Sequence, residues 1–448
     1  MRRALRLTAI VAVLALGIAP AVAALGNGNG PKPDYFVDEA ELPFEALSGA
    51  TAHWGVHKGA GYRIEVPDDW NGSLVMWAHG FRGTGLELTV DNHPLRNFLI
   101  PNGYAWASSS YSRNDYDITV GVQDTHALAT RFNGLVGRPD RTYITGASMG
   151  GHITAVSIEQ YPNFYDGAMP ICGVLGDYEL FDYFLDFNLA AQQLGIGDST
   201  FPVGSDYLTA TVPVIKAGLE AVPGGWPNVL NDSGENLKSL TELRSGGDRP
   251  NFDEAWFFWN TIPNFQSGAG NFLFDLGAQN GTLARSPGVV VDNTDVIYQF
   301  DNDTALSADE TNFNAEVFRV EADPQARAGN GLAQVPKVAG DPSIPVLTLH
   351  NLGDLFVPFH NEVIYGQEAA ANGKSDLVVQ RAIRGVGHCD FTAPELVTAF
   401  VDLTTWVEAG VTPVGDDVTN PVAVAAVDFG CAFTNDPTNQ HLFAAPCP

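Results

Sequence analysis

Apolar residues along this chain follow two periods. Residues 62–66, 73–78, 105–109 and 142–145 are short strand-like runs, and a continuous apolar run such as Leu74 to Ala78 suits a strand covered on both faces. Residues 124–132 and 152–160 read as helices between and after them, and the alternation predicts a mostly parallel sheet in an α/β fold. The rhythm resumes with strands at 345–350 and 377–383 and a closing helix at 394–409. There Leu396, Phe400, Leu403 and Trp406 recur at three- and four-residue spacings. From about 173 to 340 it breaks into a stretch rich in aromatics, Gly, Asn and Asp, with helix-like pieces near 179–193, 209–221 and 251–260. An insertion of that length inside a regular sheet predicts a lid or substrate-binding cap. The chain thus divides into a core over 50–175, a cap over 176–340, the second part of the core over 341–410 and an irregular tail over 411–448. There is no internal repeat.

The start of the chain differs from this body. Arg2, Arg3 and Arg6 precede an apolar run from Leu7 to Ile18 and the small residues Ala21-Val22-Ala23, the signature of a cleaved export signal over 1–23. The run is shorter than the roughly 20 residues of a spanning helix, so no membrane anchor is expected after cleavage. The flanks fit a general secretory signal better than a twin-arginine one, and a secreted or periplasmic location follows. Residues 24–49 open on Gly26-Asn27-Gly28-Asn29-Gly30-Pro31 and are expected to be flexible, with structure starting near Val37.

Composition narrows the functional classes. A chain of 448 residues with 45% hydrophobic and 10% aromatic residues can bury a large core. Three of the 23 basic residues and none of the 52 acidic ones lie in the leader, so the remainder carries a formal charge of −32. Such a surface argues against nucleic acid or anionic membranes as partners. Four cysteines in an exported chain suggest up to two disulfides. Their positions divide into Cys172 with Cys389 and Cys431 with Cys447, a pairing that sequence leaves open. No metal site is expected. There is no Cys-x-x-Cys, Gly55 argues against a helix that would align His53 and His57, and Asp301, Asp303 and Asp309 lack the Gly and terminal Glu of a Ca²⁺ loop. The oligomeric state is open.

Gly146-Ala147-Ser148-Met149-Gly150 matches G-x-S-x-G between a predicted strand and a predicted helix, the context in which a serine is held exposed on a tight turn. A nucleophile of this kind needs a base and an acid from later strand ends. The strand at 345–350 is followed by Asn351-Leu352-Gly353-Asp354, and that at 377–383 by Arg384-Gly385-Val386-Gly387-His388. Of the histidines after Asp354, His360 is too near in sequence and His441 lies in the tail, which leaves His388 as the base. Asp354 is the preferred acid, with Asp177 as the alternative. His79-Gly80-Phe81 after the strand at 73–78 predicts an oxyanion hole made by the N–H groups of Phe81 and Met149. Ser108-Ser109-Ser110-Tyr111-Ser112-Arg113 leaves the sheet on the same side, so Tyr111 and Arg113 are candidate pocket residues. The aromatics Phe181, Tyr183, Phe184, Trp256, Phe257, Phe258 and Trp259 either roof an apolar site or form the cap's own core.

Taken together, His79-Gly80-Phe81, the Ser148 elbow, Leu-Gly-Asp354 and Gly-Val-Gly-His388 resemble the α/β-hydrolase superfamily of esterases, lipases and serine peptidases. Coverage is roughly 55–175 and 340–410. The resemblance implies a central sheet with helices on both faces and a large inserted cap, hydrolysis through an acyl-enzyme, and no cofactor. Cys389 beside His388 is partly similar to tannase and feruloyl esterase relatives, in which a disulfide ties the serine and histidine segments together. Here no cysteine flanks Ser148, and Cys172 is the residue placed to do an analogous job. The expected substrate is a small or polymeric carboxylic ester, apolar or aromatic. An exported peptidase or amidase would use the same triad. A non-catalytic binding protein is disfavoured because all three triad residues are present.

Overall fold

Eight strands form one sheet in the order β1-β2-β4-β3-β5-β6-β7-β8. They are β1 (Ala50–His57), β2 (Ala60–Pro67), β3 (Ser73–Ala78), β4 (Ala105–Ser109), β5 (Arg141–Ala147), β6 (Gly167–Ile171), β7 (Val346–Asn351) and β8 (Val378–Ile383). β2 runs antiparallel to β1 and β4; every other pairing is parallel. In this computed structural model the described residues are 34–262, 271–277, 280–283, 286–328, 331–332, 335–436 and 439–448. The expected export signal and residues 24–33 lie outside them. Among the described residues no helix is long and apolar enough to cross a membrane.

The strands form where the apolar runs lie. β3, β4 and β6 are buried along their whole length, because helices cover both faces of the sheet. One face carries α1 (Arg96–Leu99) and α11 (Ala393–Ala409), which pack Leu99, Phe400, Leu403 and Trp406 against Val75, Tyr143 and Met169. The other carries α2 (Ile118–Leu135) and α3 (Met149–Gln160), and the insertion closes over them. α3 is buried on every side from Met149 to Ile158, as a helix squeezed between sheet and insertion must be, and its polar His152, Thr154 and Ser157 are buried with it. β1 is an addition to the strands read from sequence. It is a half-buried edge strand whose small and polar residues and Gly55 give no apolar run, joined to β2 by a two-residue turn in which Lys58 and Gly59 both have positive φ.

The insertion holds α4 (Glu179–Ile196), α5 (Val212–Leu219), α6 (Asp232–Ser245), α7 (Phe252–Thr261), α8 (Phe272–Leu276) and α9 (Ala308–Glu316). It shares one core with the sheet rather than resting on it: Tyr183, Phe187, Trp256 and Trp259 are contiguous with Met76, Ile144 and Ile153. Its buried acids are paired locally. Asp186 accepts from Arg244 Nε (2.7 Å) and the Tyr298 hydroxyl (2.5 Å), which fixes α4 against α6. After β7 come α10 (His360–Ala371), β8 and α11.

Flexibility through residue 49 is not what the structure shows for 34–49. Phe36 exchanges backbone hydrogen bonds with Leu86 and Leu88, and Leu42 is buried. Phe44 packs on Trp106 at 5.6 Å beneath the guanidinium groups of Arg63 and Arg96. Two apolar side chains that cap the β1–β2 face outweigh the freedom that a glycine-rich leader suggests.

The tail, which includes α12 (Pro421–Val424), is irregular but fastened. Asp416 pairs with the free edge of β8 through Gln380 and Ala382, covering ladder groups that would otherwise be exposed. The buried Arg384 donates to the carbonyls of Val427, Phe429 (3.0 Å) and Pro446 (2.8 Å), and Cys431–Cys447 closes the loop. His441 inserts between Glu395 (2.8 Å) and Asp390 (3.5 Å). Burial alone would lower its pKa, but the two carboxylates raise it from 6.5 to about 10. A folded pKa above the unfolded one stabilises fully below about pH 6.5 and is lost as pH rises toward about 10. The melting-temperature gap between the wild type and His441→Gln should therefore be widest at or below pH 6.5 and shrink steadily up to pH 10. A gap independent of pH would contradict the charged pairing.

Candidate active site

β5 runs into α3 through a single residue, Ser148, held at φ 59° and ψ −123°. The elbow is possible because Gly146 and Gly150, two positions to either side of Ser148, lack side chains. A Cβ on Gly150 would press into the Ala78 carbonyl oxygen, and one on Gly146 into the Gly150 carbonyl. Ser148 N–H donates to the Ile171 carbonyl (3.0 Å), which ties the strained residue to the end of β6.

Two loops meet at this elbow. The segment after β7 brings in Asp354 and the segment after β8 brings in His388, because both strands end on the same edge of the sheet. Ser148 Oγ lies 2.8 Å from His388 Nε2, and His388 Nδ1 lies 2.5 Å from Asp354 Oδ2. Asp354 is wholly buried, and its other oxygen accepts the N–H groups of Phe356 (2.9 Å) and Val357 (3.0 Å). With Nδ1–H committed to the carboxylate, the neutral imidazole presents the lone pair of Nε2 to the serine.

Strand order and elbow agree. The chain has the α/β-hydrolase fold.

In this α/β-hydrolase fold the turn after β3 lies against the serine: a Cβ on Gly80 would sit 3.2 Å from Ser148 Cβ and 3.7 Å from Ser148 Oγ. Among the described residues no acceptor takes the N–H of Phe81 or of Met149. His79 shapes the turn. Its Nδ1–H donates to Gly80 O (2.7 Å), its ring stacks on Tyr111 at 3.9 Å, and burial with nearby Arg82 keeps it neutral. Tyr111 is therefore no pocket residue. It is 1% exposed and its hydroxyl donates to the His79 carbonyl (3.1 Å), so it supports the turn from beneath. Arg113 points elsewhere too, to Asp117 at the start of α2 (3.4 Å) and the Tyr35 ring. Asp177, the alternative acid, turns its carboxylate to the N–H groups of Tyr178 and Val338, and burial raises its pKa to about 6.

Cys172 follows β6 and Cys389 follows His388, and they form a disulfide beside the triad. Cys389 Sγ is 3.5 Å from His388 Nε2. Both half-cystines have positive φ, so the bridge clamps two sharp turns at once. Among the described residues the one tight group of metal-ligand types is Cys172, Cys389 and His388, and its sulfurs are bonded to each other. Asp301 and Asp303 instead accept N–H groups of their own exposed loop.

The aromatics divide into two sets. Tyr183, Phe184, Trp256 and Trp259 are buried in the insertion's core, while Phe257 is exposed and Phe181 and Phe258 border that core. A residue that sequence reading missed, Phe356, sets its ring edge-on to His388 at 4.9 Å, with Phe272 behind it at 5.2 Å. It stands two positions after Asp354, and no spacing rule marks it. Also missed was His350, wholly buried at the end of β7. It faces Val357 O (2.7 Å), Glu362 (3.3 Å) and, at 3.9 Å, Asp354. Burial lowers its pKa, but the surrounding carboxylates and the Val357 carbonyl raise it overall.

No family model matches the sequence. The o-phthalyl amidase of Xanthobacter agilis is 21% identical over 415 residues, which span 82% of this chain and 90% of that protein. Solved structures of similar chains include an esterase from Aspergillus oryzae, with 16% identity, a TM-score of 0.43 and coverage of 81% of this chain and 80% of that one. Feruloyl esterase B from Aspergillus oryzae has 15% identity and a TM-score of 0.43, with 82% and 89% covered.

The elbow is directly testable. Gly150→Ala should lower stability by about 3 kcal/mol, read as a clear fall in melting temperature. A variant as stable as the wild type would mean that the turn tolerates a side chain and is not strained.

Proposed function

We propose that this chain is an exported serine hydrolase that cleaves carboxylic esters with an apolar or aromatic group, through an acyl-enzyme on Ser148. The observation that carries this reading is the continuous hydrogen-bonded array from Ser148 Oγ through His388 to the buried Asp354, built on an elbow with φ 59°.

In the proposed mechanism Ser148 Oγ attacks the carbonyl carbon while His388 Nε2 takes its proton. The new imidazolium is stabilised by Asp354, which stays ionised. Negative charge gathers on the former carbonyl oxygen and is met by the N–H groups of Phe81 and Met149, aided by the N-terminus of α3. As the tetrahedral intermediate collapses, His388 returns the proton to the departing alkoxide. Water, deprotonated by the same nitrogen, then attacks the acyl-enzyme; the Ser148 Oγ–acyl bond breaks, His388 returns the proton to Ser148 Oγ, and the acid is released. None of these steps requires a cofactor. Phe356, with Phe272 behind it, offers an apolar flank to the group bound beside His388. Two disulfides suit an oxidising compartment, in line with the export signal.

A second reading, amide hydrolysis, is favoured by one observation: the 21% identical relative is an amidase. Its chemistry differs only in the leaving group, an amine that must receive the His388 proton before it departs. The comparison to make is hydrolysis of p-nitrophenyl esters of increasing acyl length beside acyl p-nitroanilides, with Ser148→Ala as the control. Ester turnover that depends on Ser148, with slow or absent anilide turnover, is the expected result. Anilide turnover equal to ester turnover would replace the esterase with an amidase, and ester turnover that survives in Ser148→Ala would remove the assignment.

The role of Asp354 gives a second expectation. Asp354→Asn should keep the geometry but lower kcat by about 10³- to 10⁴-fold, since the amide no longer selects the productive tautomer. A loss under tenfold would show that Asp354 is not the acid.

A further inference from the structure

The insertion does more than cover the site. Trp259, on α7, is 3% exposed, and its indole N–H points between two carbonyl oxygens, those of Gly353 and Val386, at 2.9 Å each. Gly353 directly precedes Asp354, and Val386 stands two residues before His388. One donor from the insertion is therefore shared between the two loops that bring the acid and the base to Ser148. The loops leave the sheet already paired, Leu352 N–H to Ile383 O and Gly353 N–H to Gly385 O, both at 2.9 Å. Trp259 holds them where that pairing ends. Its ring also packs on Phe272 at 4.8 Å and faces Phe356 at 6.3 Å, and Phe356 is the ring set against His388. Arg249, fully buried just before α7, takes the preceding carbonyl, Leu352 O, with Nε at 2.7 Å.

We propose that Trp259 is a positioning residue for hydrolysis, holding the Asp354 and His388 loops in register from the insertion. The inference rests on the triad reading above. Two carbonyls turned inward on adjacent loops repel each other unless a donor sits between them, and removing that donor leaves both buried oxygens short of a partner. The loops then relax apart. The His388–Ser148 contact depends on both loops, and misplacement of reacting groups by about 1 Å lowers rates by about 10²-fold.

The same helix contains its own control. Trp256, three residues earlier and equally buried, donates its indole N–H to Pro227 O at 3.0 Å, wholly within the insertion. Trp256→Phe loses a buried hydrogen bond without touching either loop.

The test is the second-order rate of labelling by a fluorophosphonate probe, which reads the reactivity of Ser148 independently of the natural substrate. It is paired with kcat and KM on a p-nitrophenyl ester and with melting temperatures. Trp259→Phe should label about 10- to 100-fold more slowly, with kcat falling in parallel and KM within about threefold of wild type. Trp256→Phe should melt lower yet label at the wild-type rate per folded molecule. If Trp259→Phe does not fold, replacement of the Trp259 indole by its benzothiophene isostere removes only the N–H and should show the same loss. Equal slowing in both tryptophan variants, or unchanged labelling when the indole N–H is removed, overturns the inference and leaves the triad reading intact. A wild-type protein that does not label, with Ser148→Ala no different, overturns the triad reading and the inference with it.

Discussion

A carboxylate without access to water has to find every partner inside the protein, and Asp354 is in that position. One oxygen takes two backbone N–H groups and the other takes the imidazole of His388. Those partners belong to two loops that the sheet alone brings only roughly together, since β7 and β8 fix where the loops start and not where they end. Loop geometry at that distance from a sheet is set by whatever donors and apolar surface surround it. The insertion, the disulfide and the tail each meet the loops at a different point. Trp259 and Arg249 take carbonyls before Asp354 and His388, Cys172 holds the residue after His388, and Leu442 exchanges backbone and side-chain bonds with Val386 and Asp390. Pieces that look peripheral in sequence thus converge on one buried charge.

This convergence explains why the insertion shares its core with the sheet. A lid hinged on a solvated interface would expose the Gly353 and Val386 carbonyls each time it opened. Trp259 at the centre of an aromatic cluster argues for a stationary base to the insertion, with any freedom of movement left to segments further from the loops. The acids inside the insertion behave in the same way: Asp186 between Arg244 and Tyr298 brings α4, α6 and the loop before α9 to a common point. A buried ion pair contributes little net stability, but breaking one half of it is expensive, so such pairs specify a single arrangement.

Much of the fold was legible because its strands are buried on both faces and read as unbroken apolar runs, as in Leu74 to Ala78. β1 was not, because an edge strand of small and polar residues has no such run. The elbow, Asp354 and His388 stood out because a sharp turn needs glycines and because each follows a strand. The pocket residues did not. Tyr111 and Arg113 sit at a strand end, as position suggested, but side-chain direction is decided by partners that sequence does not reveal: the ring of His79 for one, Asp117 for the other. Phe356 and His350 escaped notice for the opposite reason. Each is ordinary in sequence, and each matters only because a folded neighbour, His388 or Glu362, stands against it. The ordering of residues 34–49 rests likewise on Leu42 and Phe44 finding a surface to cover.

The triad by itself does not distinguish an ester from an amide, and the difference lies in when the proton must move. An alkoxide of low basicity can leave before His388 delivers its proton, so an esterase tolerates some looseness between Nε2 and the leaving oxygen. An amine cannot leave unprotonated, so an amidase needs the imidazolium aligned with the nitrogen at the moment of collapse. The His388 loop here is fixed on three sides: by the Cys172–Cys389 bridge, by the Trp259 donor and by the tail segment at Leu442. If amide turnover accompanies ester turnover in this protein, the origin lies in these restraints on His388 rather than in a different nucleophile, and loosening any one of them should affect amides more than esters.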